Sequence, residues 1–586
     1  MTTVRVAWGA FTQIAQLTAP DGAAEDQFGN AVAVNGNVVG VGVREGDLGA
    51  NLGQGLACVF VSDLGGAGLW RCTRKLTASD GARGDSFGSS VAVSGDVMAV
   101  GAANADSPNP NQGAVYVFDR NAGGTGNWGQ VKKLIVGDGA ASDFLGCSVS
   151  VDQDVIVAGA SGDDVGGNGN QGTANVFERN AGGPNNWGLV RQLIASDGGR
   201  NDSFGCAVAV SGDLIVVGAR YHDVGANLDQ GAAYLYKRDA GGAGNWGQIK
   251  KLTADDGVTL DRFGFSVSVA GDLVVVGAYW DDVGANLDQG SAYVFERNAG
   301  GENNWGQVRQ LMADDGAASD LFGHAVSVSG ELIVIGAKDA AVGSNLEQGV
   351  AYAFGRDTGG ANNWGLIERL TSSDGAASDC FGRSVSVSGN LVVAGATQVD
   401  VGANPNQGSA YLFALPANRP PVARNDGFAT TQDRPLGLPL AKLLANDSDP
   451  EDDPLSVIFV SSSINGATVL LTATNVIYTP PPGFTGVDGF TYTISDGQGG
   501  KAAAQVEVMV VSGDLPPLNH LSIQRTPAGL LLRFVGSAEG TCAWQRSTNL
   551  LNWITLSNAV VPLHGLLEFL DPDPPLPAAF YRNTWP

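Results

Sequence analysis

The chain has 586 residues, 44% of them hydrophobic and 16% charged, with a net charge of −26. That length suits roughly two to four domains, and the acidity excludes nucleic acid as a partner, because phosphate binding needs a basic surface. No apolar stretch is long enough to cross a membrane, MTTVRVAWGAFTQ at the start lacks the apolar core of an export signal, and the six cysteines and four histidines are scattered without the spacing of a zinc site.

The first predicted element is a strand, Phe11 to Leu17. Seven similar copies follow, marked by Gly29, Gly88, Gly146, Gly205, Gly264, Gly323 and Gly382, each 58 or 59 residues after the last. Each copy holds four strand-like pieces. In the fifth, FGFSVSV (263–269) alternates with period two, Leu273–Val276 is a short apolar run, SAYVF (291–295) follows an acidic loop, and WGQVRQL (305–311) follows a Gly-rich one. Four strands in each of seven copies predict a seven-bladed β-propeller. The last copy stops after Tyr411-Leu412-Phe413, without a fourth strand, and Phe11–Leu17 matches the fourth strand of the other copies. The N-terminal strand is therefore expected to complete the seventh blade and remove the open edges.

The second copy contains Arg83-Gly84-Asp85, a familiar adhesion tripeptide. Asp85 recurs in every copy, so the tripeptide is expected to be incidental. Two acidic loops should share one face of the disc. One supplies Asp26, Asp85, Asp143, Asp202, Asp261, Asp320 and Asp379. The other supplies Asp47, Asp106, Asp164, Asp223, Asp282 and Asp400, with Ala341 in the sixth copy. Such a rim can bind cations or a basic or sugar ligand, or each Asp can simply cap its own turn. Tyr221, His222, Tyr279 and Trp280 break the repeat beside Asp223 and Asp282, and these six residues are the candidate ligand contacts. Trp70, Trp128, Trp187, Trp246, Trp305 and Trp364 open the fourth strands and are expected to pack between blades. Gly167–Gly172 fits G-x-G-x-x-G but lies between two strands and opens no helix, so it is not read as a nucleotide loop.

The F-G…V-G-A…G-x-A-Y-V-F pattern resembles the FG-GAP repeats of integrin α-subunit propellers and bacterial surface proteins, over residues 11–415. Integrin-type blades often carry a calcium loop between their first two strands. Here that loop has shrunk to turns such as Ser94-Gly95-Asp96, too poor in oxygens to cage calcium.

After the linker PANRPP, residues 416–514 resemble a bacterial cadherin-like, Ig-type sandwich. The resemblance implies calcium at Asp426, Asp447, Asp449, Asp452 and Asp453; a solvated acidic loop is the alternative. Residues 515–586 read as a small β module. The fold class is thus all-β: a propeller over 1–415, a sandwich over 416–514 and a β module over 515–586. The resemblances imply a monomeric, non-catalytic binding or adhesion protein, extracellular or at the cell surface, taking a protein or glycan ligand on its propeller face. A propeller carbohydrate hydrolase or lyase using rim carboxylates is the alternative, and a purely structural module a third.

Overall fold

The computed structural model describes residues 10–62, 69–415, 418–451, 453–497, 499–513, 515–516, 520–536, 540–575 and 579–584. They divide into two compact units that meet in sequence between 415 and 418.

Among the described residues the first unit holds seven four-stranded antiparallel sheets. Blade 1 runs Phe28–Asn35, Val38–Val43, Leu56–Ser62 and Trp70–Leu76, and blades 2 to 6 repeat it. Blade 7 takes Phe381–Ser388, Leu391–Ala396 and Ser409–Ala414 from the end of the repeat region and Thr12–Leu17 from its start. The expected closure by the N-terminal strand is therefore present. The first strands of all seven blades pack side by side in a closed ring around the axis.

Alternation explains the layers. The second strand of each blade, such as Leu214–Ala219, is buried along its whole length, because blades cover both faces. Outer strands such as Gly188–Leu193 are largely exposed or half-buried, ending on one buried Leu. In most blades the Phe of the F-G pair is fully buried and meets two aromatics of the third strand, tilted or edge-on; Phe87, for example, lies 5.5 Å from Tyr116 and 6.0 Å from Phe118. In blade 3, Leu145 takes the Phe place and Asn175 the Tyr place.

Five of the six Trp residues are at most 2% exposed, as packing predicts, and Trp70 is half-buried. Several indoles are roofed by an arginine from the end of the third strand: Arg238 lies 4.7 Å from the Trp246 ring and Arg356 4.8 Å from Trp364. The same arginines reach the preceding blade, where Arg238 donates to Glu178 at 2.8 Å and Arg356 to Glu296 at 2.5 Å.

The blades approach so closely at two glycines that no side chain fits. The glycine of the second strand faces the backbone of the F-G glycine in the next blade. A methyl group on Gly218 would overlap the Gly264 carbonyl, and the same holds from Gly42 against Gly88 round to Gly395 against Gly29. The F-G glycine also needs a left-handed backbone, with φ of +89° at Gly264. Beside this contact, the Gln before each third strand lies against the D-G glycine of the following copy, Gln230 on Gly257 for example. Its carbonyl accepts the N–H that opens the next blade, as in Phe263 to Gln230 at 2.8 Å.

The second unit is all-β apart from one helical turn, Leu440–Leu443. One sheet orders Asp426–Thr431, Lys501–Val511, Gly486–Ser495 and Ser456–Val460, its first pair being parallel. A second orders Leu436–Pro439, Asn475–Thr479 and Thr468–Leu471. Phe428, Tyr478, Phe490, Tyr492 and Val508 fill the space between. Residues 521–584 form two three-stranded sheets around Leu532, Cys542, Trp544 and Leu567.

Gly218→Ala should destabilise the propeller by about 1–3 kcal/mol, the usual range for forcing extra volume into a packed interior. A lowered urea midpoint with an unchanged slope would be the readout.

Candidate functional site

The seven Asp of the first acidic loop are buried. Each accepts the backbone N–H three residues earlier, from Ala23 to Asp26 round to Ala376 to Asp379, at 2.5–2.7 Å. The Asp of the second loop caps its own turn likewise. Asp223 accepts from Asp229 and Asp282 from Asp288, both at 2.9 Å. Turn capping, the plainer of the two readings, is what the rim carboxylates do. Burial pushes Asp26, Asp85, Asp143, Asp320 and Asp379 above the ordinary carboxylate range and Asp261 up to about 7. Asp85 is 6% exposed and its carboxylate turns back onto Ala82, so Arg83-Gly84-Asp85 does not present the acid that an adhesion receptor would need.

The residues that differ between blades gather at the mouth of the axial channel. A register shift after the opening aromatic takes the F-G glycine and its successor out of the ladder. In blade order that successor is Asn30, Ser89, Cys147, Cys206, Phe265, His324 and Arg383. The residue after the second strand is equally variable and includes Arg44, Arg220, Tyr279 and Lys338. Many of these positions, among them Asn30, Arg44, Cys147, Arg220, Phe265, His324 and Arg383, line a cavity of about 400 Å³.

On the side of blades 4 to 6 the mouth is an aromatic–arginine cluster. Arg262 lies 3.2 Å from the Trp280 ring centre and 4.9 Å from that of Tyr221, and donates to the Tyr279 hydroxyl at 2.8 Å. Arg220 lies 4.7 Å from the Tyr221 ring and 5.5 Å from Phe265. Phe265 packs on Tyr279 at 4.1 Å and on His324 at 5.0 Å. Burial, then Arg383 and Lys338, push His324 down to about 3, which keeps its ring neutral.

Three of the six candidate contacts, Tyr221, Tyr279 and Trp280, are thus brought together. The other three lie elsewhere. Asp223 and Asp282 are the turn caps above. His222 is 5% exposed, with Nδ1 2.7 Å from Asp202 and Nε2 2.7 Å from the Lys251 ammonium, which makes it a brace between loops. Arg220, Arg262, Phe265, His324 and Arg383 were not among the sequence candidates. Their signal lies in comparing the seven copies column by column, since they occupy the few positions that change where everything around them repeats.

The acids of the second unit fall into two sets. Asp426 and Asp447 both lie within hydrogen-bond distance of the buried Tyr492 hydroxyl, at 2.9 and 3.0 Å, which can donate to one of them at a time; burial pushes Asp426 up to about 6. Asp449 accepts the Glu451 and Asp453 N–H groups through Oδ1, while its buried Oδ2 has no partner. Asp453 is pushed up by burial and then by Asp449, Asp496 and Glu451. Asp452 lies outside the described residues. Among the described residues no three His, Cys, Asp or Glu side chains converge as a metal-holding group. The oxygen-only donors around Asp449 nevertheless suit a hard cation in kind, and the orphaned Oδ2 is one such donor.

The FG-GAP repeat family matches the chain seven times, at residues 11–60, 70–118, 128–177, 187–236, 246–295, 305–354 and 364–413. The bacterial Ig domain matches residues 418–509. No curated protein matches. Among solved structures, the periplasmic gluconolactonase PpgL of Pseudomonas aeruginosa is similar over 59% of this chain and 86% of its own, with 14% identity and a TM-score of 0.37, too weak a likeness to carry an argument.

The pH response of the rim can be measured at Asp261, whose carboxyl is held near 7 in the fold against 3.8 for the free group. A raised folded value contributes stability that is complete below 3.8 and lost as pH rises through 7. Asp261→Asn keeps an acceptor for Val258 but cannot ionise. Between pH 4 and pH 8 the variant should therefore gain about 1–3 kcal/mol relative to the parent, read from denaturation at both pH values.

Proposed function

Because the chain belongs to the FG-GAP repeat family, with seven repeats over residues 11–413, we propose that it is a non-catalytic binding protein, extracellular or at the cell surface, whose ligand sits at the mouth of the propeller channel. An FG-GAP propeller joined to a bacterial Ig domain fits a surface or binding protein, and no helix among the described residues is long and apolar enough to cross a membrane. The observation that carries the reading is the gathering of blade-specific residues at one mouth, on a disc that otherwise repeats itself. A binding site needs asymmetry, and the mouth is where the blades differ.

The burial of the rim acids supports a non-catalytic role. Asp261 and Asp281, whose carboxyls are raised as a catalytic acid's would be, are 2% and 6% exposed. They are engaged by Val258 N–H and by Tyr293 and Gln310. A glycoside-cleaving pair would have to reach substrate from both sides of the bond. The second unit serves as the stalk, and a calcium ion at Asp449, with Asp453 and Asp496, stiffens it; the unpartnered Asp449 Oδ2 favours this.

Screening the labelled full-length chain on glycan and protein arrays should give ligands whose affinity falls about tenfold or more in Phe265→Ala, a loss of some 1.4 kcal/mol, and is kept in Asp223→Asn. Binding that survives Phe265→Ala and is lost in Asp223→Asn would move the site to the rim and overturn this reading. For the stalk, calcium at a hundred times its dissociation constant should add about 2.7 kcal/mol. Calorimetry in calcium and in chelator should show the second unit's transition shift, and Asp449→Asn should abolish the shift. An unshifted transition would remove calcium from the account.

A further inference from the structure

The ligand's chemistry can be read from the lining of the mouth. In a chain of net charge −26, the charged residues lining the 400 Å³ cavity are Arg44, Arg220 and Arg383, with no Asp or Glu among them. A second cavity of about 340 Å³ continues it over blades 3 and 4, meeting the first at Phe144, Ser161 and Arg220, and it too has no acid in its lining. Serine and asparagine side chains supply most of the remaining polar surface of both.

The arginines differ in how far the protein satisfies them. Arg44 is paired with Glu45 at 3.3 Å, and Arg383 reaches only the Asn30 carbonyl oxygen, at 3.4 Å. Arg220 sits where the two cavities join. Among the described residues its guanidinium makes no ion pair or hydrogen bond, its Nε is buried without a partner, and it lies over the rings of Tyr221 and Phe265. Elsewhere in the propeller, Arg179, Arg238 and Arg356 each have a carboxylate. A buried polar nitrogen left unmet costs stability unless something else meets it, and the planar guanidinium presents a fork that matches a carboxylate.

We propose that the channel mouth binds an acidic saccharide, with a uronate carboxylate on Arg220 and the apolar face of a sugar ring against Phe144 and Phe265. This rests on the binding reading above and gives that site its ligand class. A sugar alternates hydroxyl edges with a C–H face. The lining offers hydroxyls and amides for the edges and aromatic rings for the face. The first cavity lies in the size range of small-ligand sites, and the second gives room for a further residue of an oligosaccharide.

Calorimetry on the full-length chain tests this with three uronates: tri-galacturonate, tri-mannuronate and a glucuronate-containing disaccharide. At least one should bind, and its methyl ester, which keeps the sugar and removes the charge, should bind about tenfold or more weaker. Arg220→Gln should weaken the acid to the same degree and leave the ester unchanged, with an unaltered melting temperature. Arg309→Gln, on an exposed outer strand, should change neither. Failure of all three uronates, equal binding of acid and ester, or indifference to Arg220→Gln would overturn the proposal, as would binding of triglutamate alone. If array ligands still require Phe265 while the uronates fail, the mouth remains the binding site and only the acidic sugar falls. If no ligand requires Phe265, both fall.

Discussion

Everything in the propeller depends on backbone meeting backbone between blades. Where Gly218 faces Gly264, and at the six equivalent places, the sheets approach more closely than any side chain allows. That contact sets how near the inner strands come to the axis, and so how wide the channel is and which residues ring its mouth. The Gln–Gly contact and the Gln carbonyl bond at each blade entry act at the same seam. Ion pairs across the outer rim, such as Arg238 with Glu178, are half-buried at most and add little by comparison. The columns that face the opening vary in side chain yet still reach the seam: Asn30 donates to the Ser89 carbonyl of the next blade at 3.1 Å, and Cys147 and Cys206 lie 3.5 Å from the Gly205 and Gly264 carbonyls.

Charge follows the same division. Carboxylates outnumber cations 59 to 33, yet many of the rim acids are spent on their own loops, each holding a turn with one short bond. At the channel mouth, Arg220 has no such duty: among the described residues it pairs with no carboxylate, and its Nε is buried without a partner. A field of acids surrounding a small basic opening repels anions at long range, but salt screens that repulsion within about 10 Å. Inside the opening, local contacts decide what binds.

The repeat made most of this fold legible. Copies 59 residues apart carry the strands, the turns and the missing fourth strand of the seventh blade without any appeal to other proteins, and the incidental nature of Arg83-Gly84-Asp85 was visible the same way. The site was legible only in part, for a geometric reason. Tyr221, Tyr279 and Trp280 stood out because they are aromatic where most other copies are not. His222 stood out for the same cause, yet it fills a gap behind a loop and bonds Asp202 and Lys251. Phe265, His324 and Arg383 lie in three different blades and become neighbours around one opening only when the ring closes; nothing local in the sequence marks that. In the second unit, Asp426 and the run Asp447, Asp449, Asp452 and Asp453 suggested one cage, whereas Tyr492 lies against Asp426 and Asp447 and Asp449 caps another turn.

Blade 7 has a mechanical consequence. The strand from which the chain departs toward the Ig domain, Ser409–Ala414, lies inside its sheet, hydrogen-bonded to Leu391–Ala396 on one side and to Thr12–Leu17 on the other. Force on the chain where it leaves the propeller therefore meets a strand held by a ladder on each side, where an outermost strand would have only one. The N-terminal strand, drawn from some 400 residues upstream, works as a clasp on the strand by which the chain leaves the propeller.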